Sequence, residues 1–232
     1  MDKSIFSKEI QPLNDGIYEV AGLPHGNYDA QAVQYDRLIS SKLYNRLMWG
    51  NTPQDYADFN REGLARNREE VIADIGCGTL TFSADVYASV LPQNLYLCDL
   101  SYEMLRIGKT RIEHRCKGET NFTFLRADAL NMPFVRESID TLICIGFIHL
   151  LDDPAALIKE FRRILKRGGK LYLTSLCADR KFSARYLKFL YKKGHVSIPR
   201  RSSEIVQIVR ENGFTELNSR VKGGIVYIVA SV

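Results

Sequence analysis

The sequence predicts an α/β protein built around a doubly wound, mostly parallel sheet. Short apolar runs begin at Val71, Asn94 and Ile139, and runs of this length are typical of strands buried on both faces. Amphipathic stretches with helical spacing separate the runs, as expected when helices connect parallel strands. Each run ends in an acidic or small residue, so polar groups should gather along the edge where open α/β sheets bind ligands.

A glycine turn follows the first of these strands. Asp74 lies near the strand end, and Gly76 and Gly78 come directly after it. Glycine allows a tight turn and lets the backbone approach a ligand that a Cβ atom would exclude. A helix predicted over residues 79–91 then points its partly positive N-terminus into the same crevice. Strand, acid, turn and helix together predict a nucleotide-type cradle.

The turn favours a cationic ligand over a dinucleotide. The pyrophosphate fingerprint Gly-x-Gly-x-x-Gly requires a third glycine, whereas residues 79–82 contain none. The carboxylate of Asp74 would repel a pyrophosphate but suits an ammonium or sulfonium group. A nicotinamide-dependent oxidoreductase therefore remains the less favoured alternative.

Acidic residues at two further strand ends suit a nucleoside. Asp99 lies 21 residues beyond Gly78, where a carboxylate can accept hydrogen bonds from both ribose hydroxyls. The same side chain could instead cap a helix predicted over residues 101–117. Asp128 follows the next strand and could accept a hydrogen bond from an adenine amino group, and Ala129 leaves room for the ring.

Four motifs along the chain occur in a familiar order and spacing. They are Asp74-Ile-Gly-Cys-Gly-Thr, Asp99-Leu-Ser-Tyr-Glu-Met, Asp128-Ala-Leu-Asn-Met-Pro-Phe and Gly168-Gly-Lys-Leu-Tyr-Leu. With them, residues 70–176 resemble class I S-adenosylmethionine-dependent methyltransferases, close to the group that includes quinone-biosynthesis C-methyltransferases. The resemblance implies a Rossmann-like, seven-stranded sheet with a C-terminal antiparallel hairpin and an N-terminal helical lid. The chain departs from the family at Leu80, where a third glycine is usual.

The resemblance also implies a cofactor, S-adenosyl-L-methionine, and roles for individual residues. Asp74 and the two glycines of the turn would hold its methionine portion, and Asp99 would bind the ribose. Met104, Asp128 and Ala129 would lie against the adenine. The predicted cofactor-binding set is Asp74, Gly76, Cys77, Gly78, Asp99, Leu100, Met104, Asp128, Ala129, Ile145 and Gly146.

The chain is expected to divide into a cap and a core. Residues 1–69 precede the sheet, and helical apolar spacing over residues 30–48 predicts a helical cap or lid. Residues 70–232 would form the methyltransferase core, within which residues 177–213 would cover the acceptor. A helix predicted over residues 154–167 is expected to stop at the following Gly-Gly pair.

The C-terminal segment predicts an antiparallel hairpin. Phe214–Val221 and Ile225–Val229 have strand character, and only Lys222-Gly223-Gly224 separates them. Strands joined this tightly must pair antiparallel. A dinucleotide dehydrogenase would not need such a hairpin, so the pattern supports the methyltransferase independently of the motifs.

Methyl transfer from a sulfonium to a small-molecule acceptor needs alignment more than catalytic groups. Positioning alone can contribute about 7–11 kcal/mol, and a general base helps an acceptor that must lose a proton. His149 follows the fourth strand and is the candidate base, unless it shapes the acceptor pocket or packs at the strand end. Tyr28, Tyr35 and Tyr186 are candidate substrate or lid residues. A protein that binds the cofactor without catalysis is a further alternative.

The modest net charge of the chain does not predict binding to nucleic acid. The 232 residues carry 32 Lys+Arg against 27 Asp+Glu, a net charge of +5 without a long basic arm. Residues 180–201, however, contain eight Lys or Arg residues and no acid. The amphipathic stretch 180–193 suits a membrane surface or an anionic substrate, although such a stretch is also typical of a solvated face over a packed one. A quinone precursor or other lipid-like acceptor fits this stretch, and a soluble metabolite fits equally well.

The sequence lacks membrane or signal segments and also lacks the cysteine and histidine spacings of disulfide-rich or metal-binding proteins. No apolar run approaches the ~20 residues of a transmembrane helix, and the first residues lack an apolar signal region, so a cytoplasmic protein is expected. The five cysteines form no Cys-x-x-Cys pair, and the four histidines show no metal spacing. Neither a disulfide framework nor a metal is therefore expected.

Overall fold

A computed structural model describes residues 3–23, 32–64, 69–116, 118 and 120–232. Within this part of the chain, a single nine-stranded sheet forms the centre of the molecule. Its strands are β1 (Ile10–Pro12), β2 (Ile17–Val20), β3 (Val71–Ile75), β4 (Asn94–Asp99), β5 (Thr123–Arg126), β6 (Ile139–Ile145), β7 (Leu165–Leu176), β8 (Thr215–Lys222) and β9 (Ile225–Ser231).

Helices cover both faces of this sheet. They are α1 (Ala32–Ile39), α2 (Lys42–Tyr44), α3 (Pro53–Leu64), α4 (Ala84–Val90), α5 (Tyr102–Glu113), α6 (Pro154–Ile164), α7 (Lys181–Lys192) and α8 (Ser202–Glu211), and α2 continues into a π-helical turn at Asn45–Trp49. Phe161 of α6 and Ile205 of α8 are buried in one apolar cluster, whereas Phe59 of α3, Tyr87 of α4 and Leu105 of α5 are buried in a second. None of the described helices is long and apolar enough to cross a membrane.

The strand order, β1-β2-β5-β4-β3-β6-β7-β9-β8, is that of a doubly wound sheet with antiparallel edges. Neighbouring strands from β2 to β7 pair in parallel, and β9 pairs antiparallel with both β7 and β8. The chain reverses its direction of winding between β3 and β6, and a crevice opens at such a switch point. The predicted parallel sheet and C-terminal hairpin are confirmed.

The N-terminal segment adds two strands that were not predicted. β1 and β2 form an antiparallel hairpin, and β2 pairs in parallel with β5. Glu19 of β2 accepts a hydrogen bond from Nη1 of Arg126 at 3.0 Å in a buried ion pair. The sheet therefore has nine strands rather than seven, and residues 1–69 are not wholly helical.

The helix after β3 starts later than predicted. It begins at Ala84 rather than at residue 79, because Leu80 adopts a φ angle of 56° that lies in the left-handed region and interrupts a right-handed helix. The glycine turn is therefore followed by a second turn instead of a helix N-terminus.

Two other helices are shorter than predicted. α5 ends at Glu113 rather than at residue 117. α6 ends at Ile164, because Leu165 is already extended and pairs with Ile139 of β6. The Gly168-Gly169 pair consequently lies within β7, at an irregularity in its register with β6, and does not stop the helix.

The segment before α3 is held against the C-terminal hairpin. The turn between β8 and β9 passes so close to Trp49 that a Cβ atom on Gly223 would lie 1.9 Å from the Trp49 carbonyl oxygen. The Gly224 amide donates to the same oxygen at 2.6 Å, and Oγ of Ser183 in α7 donates to the Met48 carbonyl at 3.1 Å. These contacts hold the segment before α3 beside the carboxyl end of β7.

Candidate active site

The carboxyl ends of neighbouring strands bring the predicted cofactor residues together. Asp74 lies one position before the end of β3, Asp99 ends β4, and Ile145 ends β6. The three strands are adjacent and parallel, so their ends share one edge of the sheet. Asp128 follows β5, the next strand outward, and Gly146 follows β6, its amide donating to Oγ1 of Thr174 at 2.9 Å.

Hydrogen bonds hold the glycine turn against β4. The amides of Gly76 and Cys77 both donate to the carbonyl oxygen of Cys98, at 2.9 and 3.1 Å. The amide of Gly78 donates to Oδ2 of Asp99 at 2.9 Å. Gly76 and Gly78 have φ angles of 70° and 55°, which residues with side chains rarely adopt. The conformation of the turn therefore favours glycine at both positions.

Asp99 connects the glycine turn to α5. Its Oδ1 accepts a hydrogen bond from the amide of Ser101 at 2.9 Å, and Oγ of Ser101 caps the helix by accepting from the amide of Met104 at 3.1 Å. A carboxylate offers about four acceptor positions. The two backbone contacts therefore orient the Asp99 carboxylate at the strand end.

Asp74 is a buried carboxyl group whose second oxygen lacks a protein donor. The hydroxyl of Tyr87 donates to Oδ2 at 2.7 Å, but no described residue hydrogen-bonds to Oδ1. Burial raises the pKa of Asp74 to about 7, the hydrogen bond from Tyr87 opposes this rise, and the charge of Asp99 adds to it. Native proteins seldom leave such an atom unpaired. The group fits a ligand that brings positive charge, as the ammonium and sulfonium of S-adenosylmethionine would.

The remaining predicted residues border the same edge on the β4–β5 side. Oδ1 of Asp128 accepts a hydrogen bond from a backbone amide two residues further on, at 2.9 Å, and Ala129 is buried. The carbonyl of Leu100 accepts from Nε of Arg126 at 3.1 Å. A Cβ atom added to Gly78 would lie 3.8 Å from Sδ of Met104. The edge thus combines three acids with an apolar wall.

The cysteines near the turn are inert thiols. Burial raises the pKa of Cys77, Cys98 and Cys144 well above the ordinary value, and the charges of Asp74 and Asp99 add to the effect. A protonated thiol is neither a nucleophile nor a metal ligand. All five cysteines are free, and among the described residues no His, Cys, Asp or Glu cluster could hold a metal ion.

Leu80, which replaces the family's usual third glycine, is accommodated by a glycine elsewhere. Its backbone adopts the left-handed region that glycine favours. Its side chain is buried in the core and packs on Gly108 of α5, where a Cβ atom would lie 3.0 Å from Cγ of Leu80. The side chain of Leu80 therefore fits between the glycine turn and α5.

Gly108→Ala is expected to destabilise the protein by about 1–3 kcal/mol, the usual penalty of overpacking. The new methyl group would press on Cγ of Leu80 and lie 3.2 Å from the carbonyl oxygen of Gly78. In the Leu80→Ala background the penalty should shrink, which a double-mutant cycle of denaturant unfolding measures directly. Gly118→Ala is the control, because no atom of the described residues lies within 4 Å of its Cβ position. Strictly additive effects of the two changes would disprove the contact.

His149 lies in a single 3₁₀ turn, Ile148–Leu150, directly after β6. Its carbonyl accepts a hydrogen bond from the amide of Ser197 at 3.0 Å, and its side chain borders a small cleft together with Leu176 and Leu187. Nδ1 is buried, and no described residue hydrogen-bonds to it. Burial lowers the pKa of His149 to about 4, so the imidazole is neutral at neutral pH. A neutral imidazole can accept a hydrogen bond or a proton.

The structure describes the side chain of one of the three predicted lid residues. Tyr28 lies outside the described residues, and Tyr35 belongs to α1 although its side chain is outside the description. The hydroxyl of Tyr186 lies 3.2 Å from the hydroxyl of Tyr44, and its ring centroid lies 5.4 Å from that of Trp49. Tyr186 therefore joins α7 to the cap.

An ion pair between α1 and α5 is a feature that sequence reasoning missed. Nη1 and Nη2 of Arg111 donate to the two carboxylate oxygens of Asp36 at 3.0 and 2.7 Å, and Nη1 also donates to Oγ1 of Thr81 at 2.7 Å. Against the effect of burial, hydrogen bonds from Arg111 and two threonines lower the pKa of Asp36. The pair holds α1 against the loop after the glycine turn. Its partners are 75 residues apart, so no local pattern could reveal it.

Known proteins with similar sequences are methyltransferases. Residues 73–173 match the methyltransferase domain family. A demethylmenaquinone methyltransferase of Geobacillus kaustophilus is 26% identical over 170 residues, which cover 72% of this chain and 68% of the relative. The chloroplastic 2-methyl-6-phytyl-1,4-hydroquinone methyltransferase of Spinacia oleracea is 28% identical over 144 residues, which cover 62% of this chain and 40% of the relative.

Solved structures share the fold. Phosphoethanolamine N-methyltransferase 2 of Haemonchus contortus, in complex with S-adenosyl-L-methionine, matches with a TM-score of 0.69 at 15% identity, covering 91% of this chain and 61% of the other. A SAM-dependent methyltransferase from Aquifex aeolicus matches with a TM-score of 0.60 at 14% identity, covering 85% and 96%.

The fold is that of solved methyltransferases, and the relatives that are similar in sequence are named methyltransferases. Structures of Haemonchus contortus phosphoethanolamine N-methyltransferase 2, which share the fold, contain S-adenosyl-L-methionine or S-adenosylhomocysteine. The protein is a methyltransferase that matches the methyltransferase domain family at residues 73–173 and is similar in sequence to enzymes named for quinone-type acceptors.

Proposed function

We propose that the protein methylates a ring carbon of a hydroquinone that carries an apolar side chain. The Geobacillus relative is named for demethylmenaquinone and the spinach relative for a phytyl hydroquinone. The observation that carries the proposal is His149, a half-buried imidazole that is neutral at neutral pH and whose buried Nδ1 no described residue uses. When a ring carbon bonds to the methyl group and the bond from methyl to sulfur breaks, loss of the hydroxyl proton leaves a ring ketone at that oxygen. The methylated carbon then releases its ring proton and the oxygen regains a proton, which restores the hydroquinone. A neutral base helps the first proton loss.

The strand ends would hold the cofactor, which when bound supplies an electrophilic methyl group on its sulfonium. Asp74 would face the positively charged end of the cofactor, Asp99 would accept the ribose hydroxyls, and Asp128 would accept the adenine amino group. These roles suit the unpartnered oxygen of Asp74 and the backbone-held carboxylate of Asp99. The other residues proposed to contact the cofactor are Gly76, Cys77, Gly78, Leu100, Met104, Ala129, Ile145 and Gly146.

The cap and the segment after β7 would enclose the acceptor. Residues 1–69 would act as the lid and residues 177–213 as the acceptor cover, with the core spanning residues 70–232. Tyr186 would be the contact between them, because its ring packs on Trp49 of the cap, and Tyr28 and Tyr35 would face the methyl group. Excluding water and aligning the two reactants would contribute about 7–11 kcal/mol. His149 would take the hydroxyl proton at Nδ1.

Transfer of a labelled methyl group to matched acceptors tests the proposal. A prenylated naphthohydroquinone lacking the ring methyl is expected to gain the label on a ring carbon. Its bis-O-methyl ether, which has no hydroxyl proton to lose, should be inactive, and so should phosphoethanolamine. Label on oxygen, or transfer to phosphoethanolamine alone, would refute the assignment of the acceptor.

Affinity for S-adenosylmethionine is expected to rise with pH up to about 7. The pKa of Asp74 is about 7 in the cofactor-free protein, so below that pH the carboxyl is largely protonated and must release its proton to face a cation. The Kd should therefore fall about tenfold per pH unit on the acid side and level off above pH 7. Calorimetric titration in buffers with different ionisation enthalpies measures both the Kd and the proton released.

Asp74→Asn is the control for this pH dependence. An amide does not ionise in this range, so the variant should bind the cofactor weakly with a Kd that no longer follows the same pH curve. A wild-type Kd that is constant between about pH 5 and about pH 8 would show that Asp74 does not face the cationic part of the cofactor.

A further inference from the structure

Four large apolar side chains crowd one exposed surface. Leu43 and Leu47 lie about one helical turn apart in the cap, and Phe182 and Phe189 lie two turns apart on one side of α7. Each of the four residues is more than half exposed. Leu47 and Phe182 line the same cavity, so the two pairs adjoin. Exposed apolar patches of this kind mark interaction sites.

Cations lie between these apolar side chains. Arg185 falls on the side of α7 that carries Phe182 and Phe189, because it is three and four residues away from them. Lys192 follows Phe189 by three residues, and Nζ of Lys193 lies 6.0 Å from the centroid of its ring. Residues 180–201 contain eight Lys or Arg residues and no acid. The element therefore has no negative charge of its own to neutralise them.

A cavity of about 600 Å³ opens at the same place. Arg46 and Arg180 line it, and no described carboxylate forms an ion pair with either. Asp55, an acid in the cavity wall, is already paired with Lys222 at 2.6 Å. Guanidinium groups without a carboxylate partner are suited to bind phosphate.

We propose that this surface docks the protein on an anionic phospholipid bilayer. The α7 surface comprises Leu43, Arg46, Leu47, Arg180, Phe182, Arg185, Phe189 and Lys192. Its arginines at the cavity would bind lipid phosphates, and its leucines and phenylalanines would enter the interface between headgroups and acyl chains. Leucine and phenylalanine beside Lys and Arg are the composition of helices that lie on anionic membranes, and a neutral or cationic partner would leave the positive charge uncompensated.

Docking in this orientation would bring the bilayer to the acceptor cover. Tyr186 lies on α7 and contacts Tyr44 and Trp49 of the cap, so the junction between cap and cover lies at the docked surface. An acceptor dissolved in the bilayer could enter there without crossing water. This consequence rests on the proposed function, whereas the docking itself does not.

Vesicle flotation tests the docking without any acceptor. The wild-type protein is expected to float with vesicles of phosphatidylglycerol and phosphatidylcholine, to bind pure phosphatidylcholine at least tenfold less, and to lose binding as salt is raised. The double variants Phe182→Ser/Phe189→Ser and Arg185→Glu/Lys192→Glu should each bind anionic vesicles at least tenfold less. Leu91→Asn and Arg136→Glu are the matched controls, because both replace exposed residues outside the α7 surface, and they should bind as the wild type does.

Three results would overturn the docking proposal: equal binding to neutral and anionic vesicles, no binding at all, or unchanged binding by the two double variants. Sedimentation velocity distinguishes self-association, since a dimer that Phe182→Ser/Phe189→Ser dissociates would reassign the surface to a second copy of the chain. Unchanged affinity for S-adenosylmethionine shows that each variant is folded. Absence of binding to vesicles would not change the outcome of the methylation assay. The docking proposal and the proposed function can therefore be refuted independently.

Discussion

His149→Ala is expected to lower kcat for a hydroquinone acceptor by about 10²-fold or more, the usual contribution of a general base. The imidazole is neutral because burial lowers its pKa to about 4, and its Nδ1 has no described partner. Without the imidazole, the acceptor's hydroxyl proton has no general base to accept it. The affinity for S-adenosylmethionine should be unchanged, because His149 lies after β6 and outside the predicted cofactor-binding set.

Steady-state kinetics with a labelled methyl group separate kcat from KM for this variant. Added imidazole should restore part of the lost rate, a recovery that a merely structural role would not produce. In the wild type, kcat should fall only as the pH approaches about 4, where His149 becomes protonated, and this acid limb should vanish in the variant. His114→Ala is the control, since His114 is exposed at the end of α5. A variant with the wild-type kcat would remove His149 as the base.

Asp99→Ala is expected to weaken the binding of S-adenosylmethionine by about 1–3 kcal/mol, from the loss of charge-assisted hydrogen bonds. The corresponding increase in Kd is about 5- to 150-fold. Two effects combine in this loss. The carboxylate would no longer meet the ribose hydroxyls, and the amides of Gly78 and Ser101 would lose their acceptors.

An analogue of the cofactor without ribose hydroxyls distinguishes these two effects. The wild type should bind the analogue much more weakly than S-adenosylhomocysteine, whereas Asp99→Ala should bind both with similar Kd values. Calorimetry gives the four Kd values, and Asp58→Ala, which removes an exposed carboxylate of α3, serves as the control. If the variant still discriminates as strongly as the wild type, Asp99 does not bind the ribose.

Several elements could be predicted because their physical cause is local. The strands Asn94–Asp99 and Ile139–Ile145 begin at the predicted residues, since strands buried on both faces are rich in apolar residues. The tight turn at residues 222–224 likewise left β8 and β9 no alternative to antiparallel pairing. Gly76 and Gly78 were predictable as a turn because only glycine adopts positive φ without strain.

Other elements were wrong or missed because their cause lies elsewhere in the chain. The hairpin of β1 and β2 is an edge of the sheet whose pairing depends on β5 and on the buried contact of Glu19 with Arg126. The late start of α4 depends on Leu80, which can adopt its conformation only because Gly108 of α5 leaves space for its side chain. Arg126 lies far from Glu19 in the sequence, and Gly108 lies far from Leu80. No periodic pattern could therefore have indicated either contact.

The sequence by itself determined the class of fold and predicted the kind of cofactor, because the strand runs, the glycine turn and the acids at the strand ends are short segments whose chemistry acts locally. Only the tertiary structure decided the state of the groups that give the site its chemistry. Asp74 has a raised pKa and an oxygen without a donor, and His149 is neutral, because of which residues surround them. Burial and hydrogen bonding depend on neighbours in space, and the fold assembles those neighbours from distant parts of the chain.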